Sequence, residues 1–178
     1  MVRTLTLLVL VALGSGPALA EMPAAVDPSE IPNYRVIRPG LAFGGQPSPE
    51  TLKRLGDMGF RTIVNIRSEQ VGAPAQGEVV RAQGLDFVWV PVTSGTFSLE
   101  DVKAVEAVLD DPAAAPVLLH CASGNRVAAV WGVIRARDGR TPDQVEADAR
   151  EAGLHSPSMG EAVLRVLDWG PELVPATP

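Results

Sequence analysis

The sequence predicts an α/β fold in which a mostly parallel sheet is flanked by helices on both faces. Short apolar runs alternate with segments that carry helical start and stop signals, from about residue 34 to residue 167. The apolar run 116–119 is followed by a polar segment at 120–126 and then by an apolar stretch at 127–134, which indicates a buried helix. Strands that alternate with helices run parallel, because each helix returns the chain to the same edge of the sheet.

The first half of the domain is predicted to hold four strands and two helices. Ser48 is a good N-cap, with Pro49 at the first helical position, and Gly59 and Gly84 are helix stop signals. The predicted elements are strands at 34–37 and 41–43 around a turn at 38–40, a helix from 49 to about 58, a strand at 61–66, a helix at 74–83 and a strand at 87–92.

The second half is predicted to hold one strand and four helices. Ser98 and Asp101 form a capping signature, and Thr141 begins another helix that Gly153 ends. The predicted elements are a helix after residue 98, a strand at 116–120, the buried helix at 127–134, a helix from 142 to 152 and a last helix around 163–167. Their inward faces hold Val102, Val105 and Leu109, then Val145, Ala149 and Ala152, then Val163, Val166 and Leu167.

The chain divides into a leader, one domain and two short flanking segments. Arg3, an apolar run at 5–13 and the small residues around Ala20 predict a cleavable signal peptide at 1–20 and an exported protein, periplasmic or secreted. An uncleaved membrane anchor is the alternative. We expect a flexible lead-in at 21–33, a domain at 34–170 and a loose tail at 171–178, with no stable membrane association once the signal is removed.

Charge and cysteine content exclude several classes of protein. The formal net charge is −6, which argues against a general nucleic-acid partner. Cys121 is the single cysteine and there are two histidines, so the sequence predicts no disulfide framework, no zinc site and no cofactor.

The segment from His120 to Arg126 is the candidate active site. It joins a strand to a helix, which directs backbone N–H groups and the positive end of the helix dipole at one point and so predicts an anion site. Cys121 in that field would favour its thiolate form, the nucleophile, and Arg126 could bind an oxyanion through two donors. The anion-binding loop is completed by Ala122, Ser123, Gly124 and Asn125.

Three segments resemble a bacterial branch of the cysteine-dependent protein tyrosine phosphatase superfamily. They are Gly45-Gln46-Pro47, the segment 59–67 (GFRTIVNIR), and His120-Cys121 with Gly124 and Arg126. The chain is most similar there to the beta-lactamase-hydrolase-like phosphatase domain, over roughly residues 34–169. The resemblance implies a dual-specificity-phosphatase-like fold and a phosphorylated small molecule or phosphoprotein as substrate.

The resemblance also implies roles for individual residues. Cys121 would attack phosphorus, Arg126 would hold the phosphoryl oxygens, and His120 would orient the loop. Gln46 could pack against the active loop through its amide. Arg67 could either pair with a carboxylate or extend the anion site, and both interpretations stay open.

The chain departs from the superfamily pattern at three places. Four residues separate Cys121 from Arg126 where the pattern has five, Val127 replaces a serine or threonine, and the loop 91–96, where the general acid is expected, has no carboxylate. Asp86 and Glu69 are conceivable substitutes, as is His155, which otherwise reads as a surface residue. The short spacing also resembles rhodanese-type sulfurtransferases, in which the cysteine carries a persulfide. A non-catalytic anion-binding pseudophosphatase is the third hypothesis.

Overall fold

The computed structural model describes residues 22–168, so the predicted signal peptide and tail lie outside the described residues. The strands are β1 (Arg35–Arg38), β2 (Leu41–Gly44), β3 (Thr62–Asn65), β4 (Asp86–Trp89) and β5 (Val117–His120). The helices are α1 (Pro49–Leu52), α2 (Ala73–Arg81), α3 (Leu99–Leu109), α4 (Asn125–Arg137), α5 (Pro142–Glu151) and α6 (Pro157–Val166). Within residues 22–168, no helix is long and apolar enough to cross a membrane.

The five strands form one sheet in the order β1-β2-β5-β3-β4. Only the β1–β2 pair is antiparallel, and the other three pairs are parallel. The predicted mostly parallel α/β sheet is therefore confirmed. In the register of the central strands, His120 lies beside Gly44 of β2 and Asn65 of β3, so the chain segments that follow these three strands leave the same edge of the sheet.

Alternate residues of the central strands pack against helices on opposite faces, as predicted. Val64 and Leu119 belong to one core cluster, which α3, α4 and α6 cover. Leu118, the neighbour of Leu119 in β5, belongs to the second core cluster, where Leu52 of α1 and Val80 of α2 cover it. Because consecutive strand side chains point to opposite faces, a fully buried run such as β5 requires helices on both sides.

Helix α1 is shorter than predicted. It ends at Leu52, and the chain continues to Gly59 through turns rather than as regular helix. Gln83 explains the break, because its side-chain Nε2 donates to Leu52 O at 2.6 Å and its Oε1 accepts from Gly56 N–H at 3.2 Å. A continuing helix would bond the Gly56 N–H to Leu52 O. The side-chain amide of Gln83 bonds to both groups instead, so the helix ends there.

The other boundaries shift by a few residues. A 3₁₀ turn at Glu69–Val71 precedes α2, and α4 extends beyond the predicted 127–134 at both ends. The predicted strand 87–92 ends early at Trp89, although the Val90 N–H still donates to Asn65 O at 3.1 Å. These differences leave the order of elements unchanged.

The described part of the lead-in packs against the domain. Ile31 is fully buried in the cluster beneath α1 and α2, and the Tyr34 hydroxyl donates to Pro23 O at 2.7 Å. Asn33, at the predicted boundary, contacts the active loop through the hydrogen bond described below. The division at residue 34 stays a prediction, but the residues just before it are held by contacts with the residues after it.

Candidate active site

The candidate nucleophile lies directly after the central strand β5. Cys121 is 1% exposed, and its backbone N–H donates to Gly44 O at 3.3 Å. Its position at the carboxyl end of a parallel strand is where ligands bind in open α/β sheets. The sequence prediction of strand, loop and helix around this residue therefore agrees with the structure.

Gly124 shapes the loop by adopting a left-handed conformation at the N-cap of α4, with φ of 88°. This φ favours glycine, because a side chain would be strained there. The Gly124 N–H donates to Cys121 Sγ at 3.1 Å. The first helical hydrogen bond of α4 runs from the Ala128 N–H to Gly124 O at 3.0 Å. The N–H groups before Ala128 lie in the first turn, where the helix itself offers them no acceptor. The thiol and the positive end of a 13-residue helix meet at one place.

Arg126 links the active loop to the two loops beside it. Its Nη1 donates to Val92 O at 3.1 Å and to Ile66 O at 3.5 Å. Val92 lies in the segment after β4, and Ile66 directly follows β3. The guanidinium is thereby held at the junction of three loops, on the edge of the sheet where Cys121 lies.

His120 is completely buried and neutral. Burial is the main cause that lowers its pKa from 6.5 to about 4, and the positive charges of Arg67 and Arg126 lower it further. A weaker contact opposes them, since the ring Nδ1 lies 3.3 Å from Cys121 O. Its Nε2 has no hydrogen-bond partner among the described residues. A neutral His120 contributes no charge to the loop.

Arg67 is fixed by a polar network that the sequence does not reveal. Its backbone N–H donates to Asn65 Oδ1 at 2.9 Å, and its carbonyl accepts from Trp89 Nε1 at 2.7 Å. Its Nη1 donates to the side-chain Oε1 of Gln46. Asn65 is held in turn by Gln76 Oε1, to which its Nδ2 donates at 2.8 Å. Burial lowers the pKa of Arg67 most, and the positive charge of Arg126 lowers it further.

Gln46 reaches the active loop through its backbone rather than its side chain. Its N–H donates to Ala122 O at 3.0 Å, while its side chain accepts from Arg67. The preceding Gly45 is needed for this approach, because a Cβ there would lie 2.9 Å from Ala122 O. The sequence predicted this contact for the side-chain amide, but that amide bonds to Arg67 and to Pro47 O, and the backbone N–H makes the contact with the loop instead.

Two asparagines brace the loop, and one of them escaped the sequence analysis. Asn33 donates through Nδ2 to Ser123 O at 3.0 Å, from a left-handed backbone with φ of 53° that asparagine tolerates. Asn125 Oδ1 accepts from the backbone N–H groups of His155 and Ser156, at 2.8 and 3.0 Å. The Asn125 side chain thus joins the start of α4 to the start of α6. No sequence signal for the Asn33 contact exists, because it spans 90 residues.

The candidate acids lie at different places in the fold relative to Cys121. Asp86 begins β4 and pairs with Thr62, at the edge of the sheet opposite to Cys121, so it cannot serve the site. Asp101, which the sequence assigns to the cap of α3 rather than to catalysis, lies there as predicted, and its Oδ2 accepts from the Ser98 N–H at 3.0 Å. Glu69 is exposed in the 3₁₀ turn after β3, on the same edge as Cys121. Across the described part of the chain, no three His, Cys, Asp or Glu side chains form a metal-binding cluster.

Comparison with known proteins identifies the family. A sequence model described as "Beta-lactamase hydrolase-like protein, phosphatase-like domain" matches residues 33–138, more than half of the chain. The chain belongs to this family of phosphatase-like domains. The resemblance deduced from the Gly-Gln-Pro, GFRTIVNIR and His-Cys segments is thereby confirmed.

The phosphatase-like domain has curated and structural relatives. It is 30% identical over 133 residues to the beta-lactamase hydrolase-like protein of Xylella fastidiosa, which covers 71% of this chain but 30% of the relative. A DUF442 phosphatase-like structure from Shewanella putrefaciens is 23% identical, with a TM-score of 0.64, covering 80% of this chain and 95% of that one. Tk-PTP in its active form is 17% identical, with a TM-score of 0.60 and coverage of 77% and 97%.

The family match is to a phosphatase-like domain, and the solved phosphatases above share the fold of this chain. The chain spans about 30% of the length of the curated relative, so the activity of that whole protein is not carried over. At these identities the structural neighbours show the shared fold alone.

Proposed function

We propose that this phosphatase-like domain is an exported, cysteine-dependent phosphatase that acts on phosphate monoesters through a Cys121 thiophosphoryl intermediate. One observation carries the proposal: Cys121 Sγ accepts the Gly124 N–H at the N-terminus of α4, with Arg126 in the same loop. Phosphoryl transfer depends on positioning and electrostatic stabilisation, and this arrangement offers both.

The reaction proceeds in two displacements at phosphorus. The Cys121 thiolate attacks, an S–P bond forms, the P–O bond to the leaving group breaks, and the bonding electrons leave with that oxygen. Water then attacks phosphorus, the S–P bond breaks, the thiolate returns, and a proton passes from water to solvent. The loop N–H groups and Arg126 bind the phosphoryl oxygens in both steps.

The test compares variants on an aryl phosphate. Cys121→Ser removes the nucleophile and should abolish turnover. Arg126→Ala should lower kcat by roughly 10²–10³-fold, the cost of losing a main oxyanion donor. Arg137→Ala is the matched control, since it removes an exposed arginine from the other end of α4, where it pairs with Glu106. Wild-type rates in either active-loop variant would refute the mechanism.

Sulfur transfer is the second candidate, because four residues lie between Cys121 and Arg126 and the loop after β4 has no acid. A persulfide on Cys121 needs a thiolate and a cationic cradle, but no acid. Intact mass after thiosulfate treatment, and thiocyanate formation with cyanide, report this activity. If neither substrate class is turned over while phosphate raises the melting temperature, the domain is an anion-binding pseudophosphatase.

Export is proposed from the sequence of residues 1–20 alone. Expression of the full chain in a Gram-negative host should give a periplasmic protein whose first residue is Glu21. N-terminal sequencing of the fractionated protein checks this, and an intact Met1 in the cytoplasmic fraction would contradict it. The substrates of an exported phosphatase would be phosphorylated small molecules or phosphoproteins met outside the cytoplasm.

A further inference from the structure

The guanidinium of Arg126 is held by the loop that follows β4. Its Nη1 donates to Val92 O at 3.1 Å, and its contact with Ile66 O is longer, at 3.5 Å. The Val92 side chain is fully buried, and the Val92 N–H donates to Ile66 O at 3.2 Å. A guanidinium binds an oxyanion through two parallel donors only when its plane has the right orientation. The position of the loop 91–97 therefore affects how Arg126 faces an anion beside Cys121.

The loop 91–97 is held at its ends by buried side chains and at its tip by Arg165. The buried side chains are those of Val92 and Phe97, and the tip between them is exposed or half-buried. Ser94 O in the tip accepts from Arg165 Nη2 at 2.6 Å, although the two residues lie 71 positions apart along the chain. Arg165 is exposed in the last turn of α6. The tip is therefore bonded to a helix that neither precedes nor follows the loop in the sequence.

The other end of α6 is bonded to the active loop. The N–H groups of His155 and Ser156 donate to Asn125 Oδ1, and Ser156 caps the helix. Asn125 directly precedes Arg126 in the chain. The inward side chains of α6 are buried in the same core cluster as those of α4. A helix of 10 residues is about 15 Å long, so α6 is a packed connection of that length between the active loop and the loop after β4.

These contacts form a closed ring that includes Arg126. The ring runs from Asn125 through α6 to Arg165, and from there to Ser94. Two residues before Ser94, the Val92 carbonyl closes the ring on the guanidinium. Groups that are oriented before the reaction stabilise a transition state more than groups that must be oriented during it. Breaking the ring at Arg165 would release the tip of the loop and, through the Val92 carbonyl, loosen the guanidinium.

We propose that Arg165 is a positioning residue for the oxyanion clamp. By holding the tip of the loop after β4, it fixes the Val92 carbonyl and, through that carbonyl, the orientation of the Arg126 guanidinium. This inference rests on the anion-binding role of Arg126 in the function proposed above. Because Arg165 acts through Arg126, its effect disappears when Arg126 is absent. A residue that only stabilised the exposed loop would have the same effect with or without Arg126.

The experiment is a double-mutant cycle on the full chain, with tungstate, a tetrahedral dianion, as the probe of the anion site. Arg165→Ala should raise the tungstate Kd, measured by calorimetry, and lower kcat/KM on 4-nitrophenyl phosphate, each by about tenfold. The same substitution in Arg126→Ala should change neither quantity by more than about twofold, because the group through which it acts is gone. Arg150→Ala is the matched control, since it removes an exposed arginine of α5 that pairs with Glu146, and it should leave both quantities unchanged.

The outcomes separate this inference from the proposed function. An unchanged tungstate Kd in Arg165→Ala, or an equal loss with and without Arg126, would overturn the positioning role while Cys121-dependent turnover stood. If the wild type binds tungstate but hydrolyses no phosphate monoester, the proposed function fails, and the binding cycle still decides the role of Arg165. A wild type that binds no tungstate would refute both.

A second variant keeps the test open if Arg165→Ala does not fold. Arg165→Lys retains a donor for Ser94 O without the planar fork of arginine. Its tungstate Kd should lie between those of the wild type and Arg165→Ala, and it replaces the alanine variant in the cycle if needed. A lysine variant whose loss persists unchanged in Arg126→Ala would equally overturn the positioning role.

Discussion

Lowering the pH should destabilise this protein through one buried histidine. The pKa of His120 is about 4 in the folded chain because burial penalises its charged form, against an ordinary value of 6.5. Between these values the unfolded chain binds a proton that the folded chain does not, so the free energy of unfolding rises with pH across that window. The contribution of neutral His120 to the free energy of unfolding is complete above pH 6.5 and is lost progressively as the pH falls towards 4.

The magnitude follows from the two pKa values. Each unit of pKa difference corresponds to about 1.36 kcal/mol, so the free energy of unfolding should fall by roughly 2 kcal/mol between pH 7.5 and pH 5. Hydrogen bonding to Arg140 is the main cause that lowers the pKa of Asp148 below 3.8, so its stabilisation is lost only as the pH falls further. The window from 7.5 to 5 therefore reports chiefly on His120.

Urea unfolding of the full chain at pH 7.5, 6.0 and 5.0 measures this effect. His120→Gln removes the titrating group and should flatten the dependence over this range, whatever its effect on stability at pH 7.5. His155→Gln replaces the other histidine of the sequence, which is exposed, and is measured beside it as the matched substitution. A wild-type free energy that changes by less than about 0.5 kcal/mol over the range would refute a buried, neutral His120.

Two substitutions test the bracing of the loop. Gly45→Ala places a Cβ 2.9 Å from Ala122 O, and this overpacking should cost about 1–3 kcal/mol and lower kcat; an unchanged melting temperature would show that the backbones approach less closely. Asn125→Ala leaves the N–H groups of His155 and Ser156 without their acceptor, which should cost about 2 kcal/mol in urea unfolding. Asn125→Asp keeps the acceptor and should recover most of that loss, so equal destabilisation by both substitutions would contradict the assigned contacts.

Local signals were sufficient for much of the architecture. Ser48, Ser98 and Thr141 accept hydrogen bonds from backbone N–H groups at the starts of α1, α3 and α5, as predicted, because a capping side chain reaches only its own first turn. The alternation of strands and helices likewise predicted the parallel sheet. The end of α1 was not predictable from the sequence. It depends on the side-chain amide of Gln83, which follows α2 and lies about 30 residues away along the chain.

The sequence by itself determined the fold class, the family and the strand–loop–helix placement of Cys121, Gly124 and Arg126. These depend on residues close together along the chain, where side-chain period, capping and glycine conformation act locally. The tertiary structure alone decided that Asp86 lies at the edge of the sheet opposite to Cys121. It also decided that Arg67 is linked to the active loop through Gln46. Both depend on which strand ends meet, and strand order brings together groups whose separation along the chain carries no local signal.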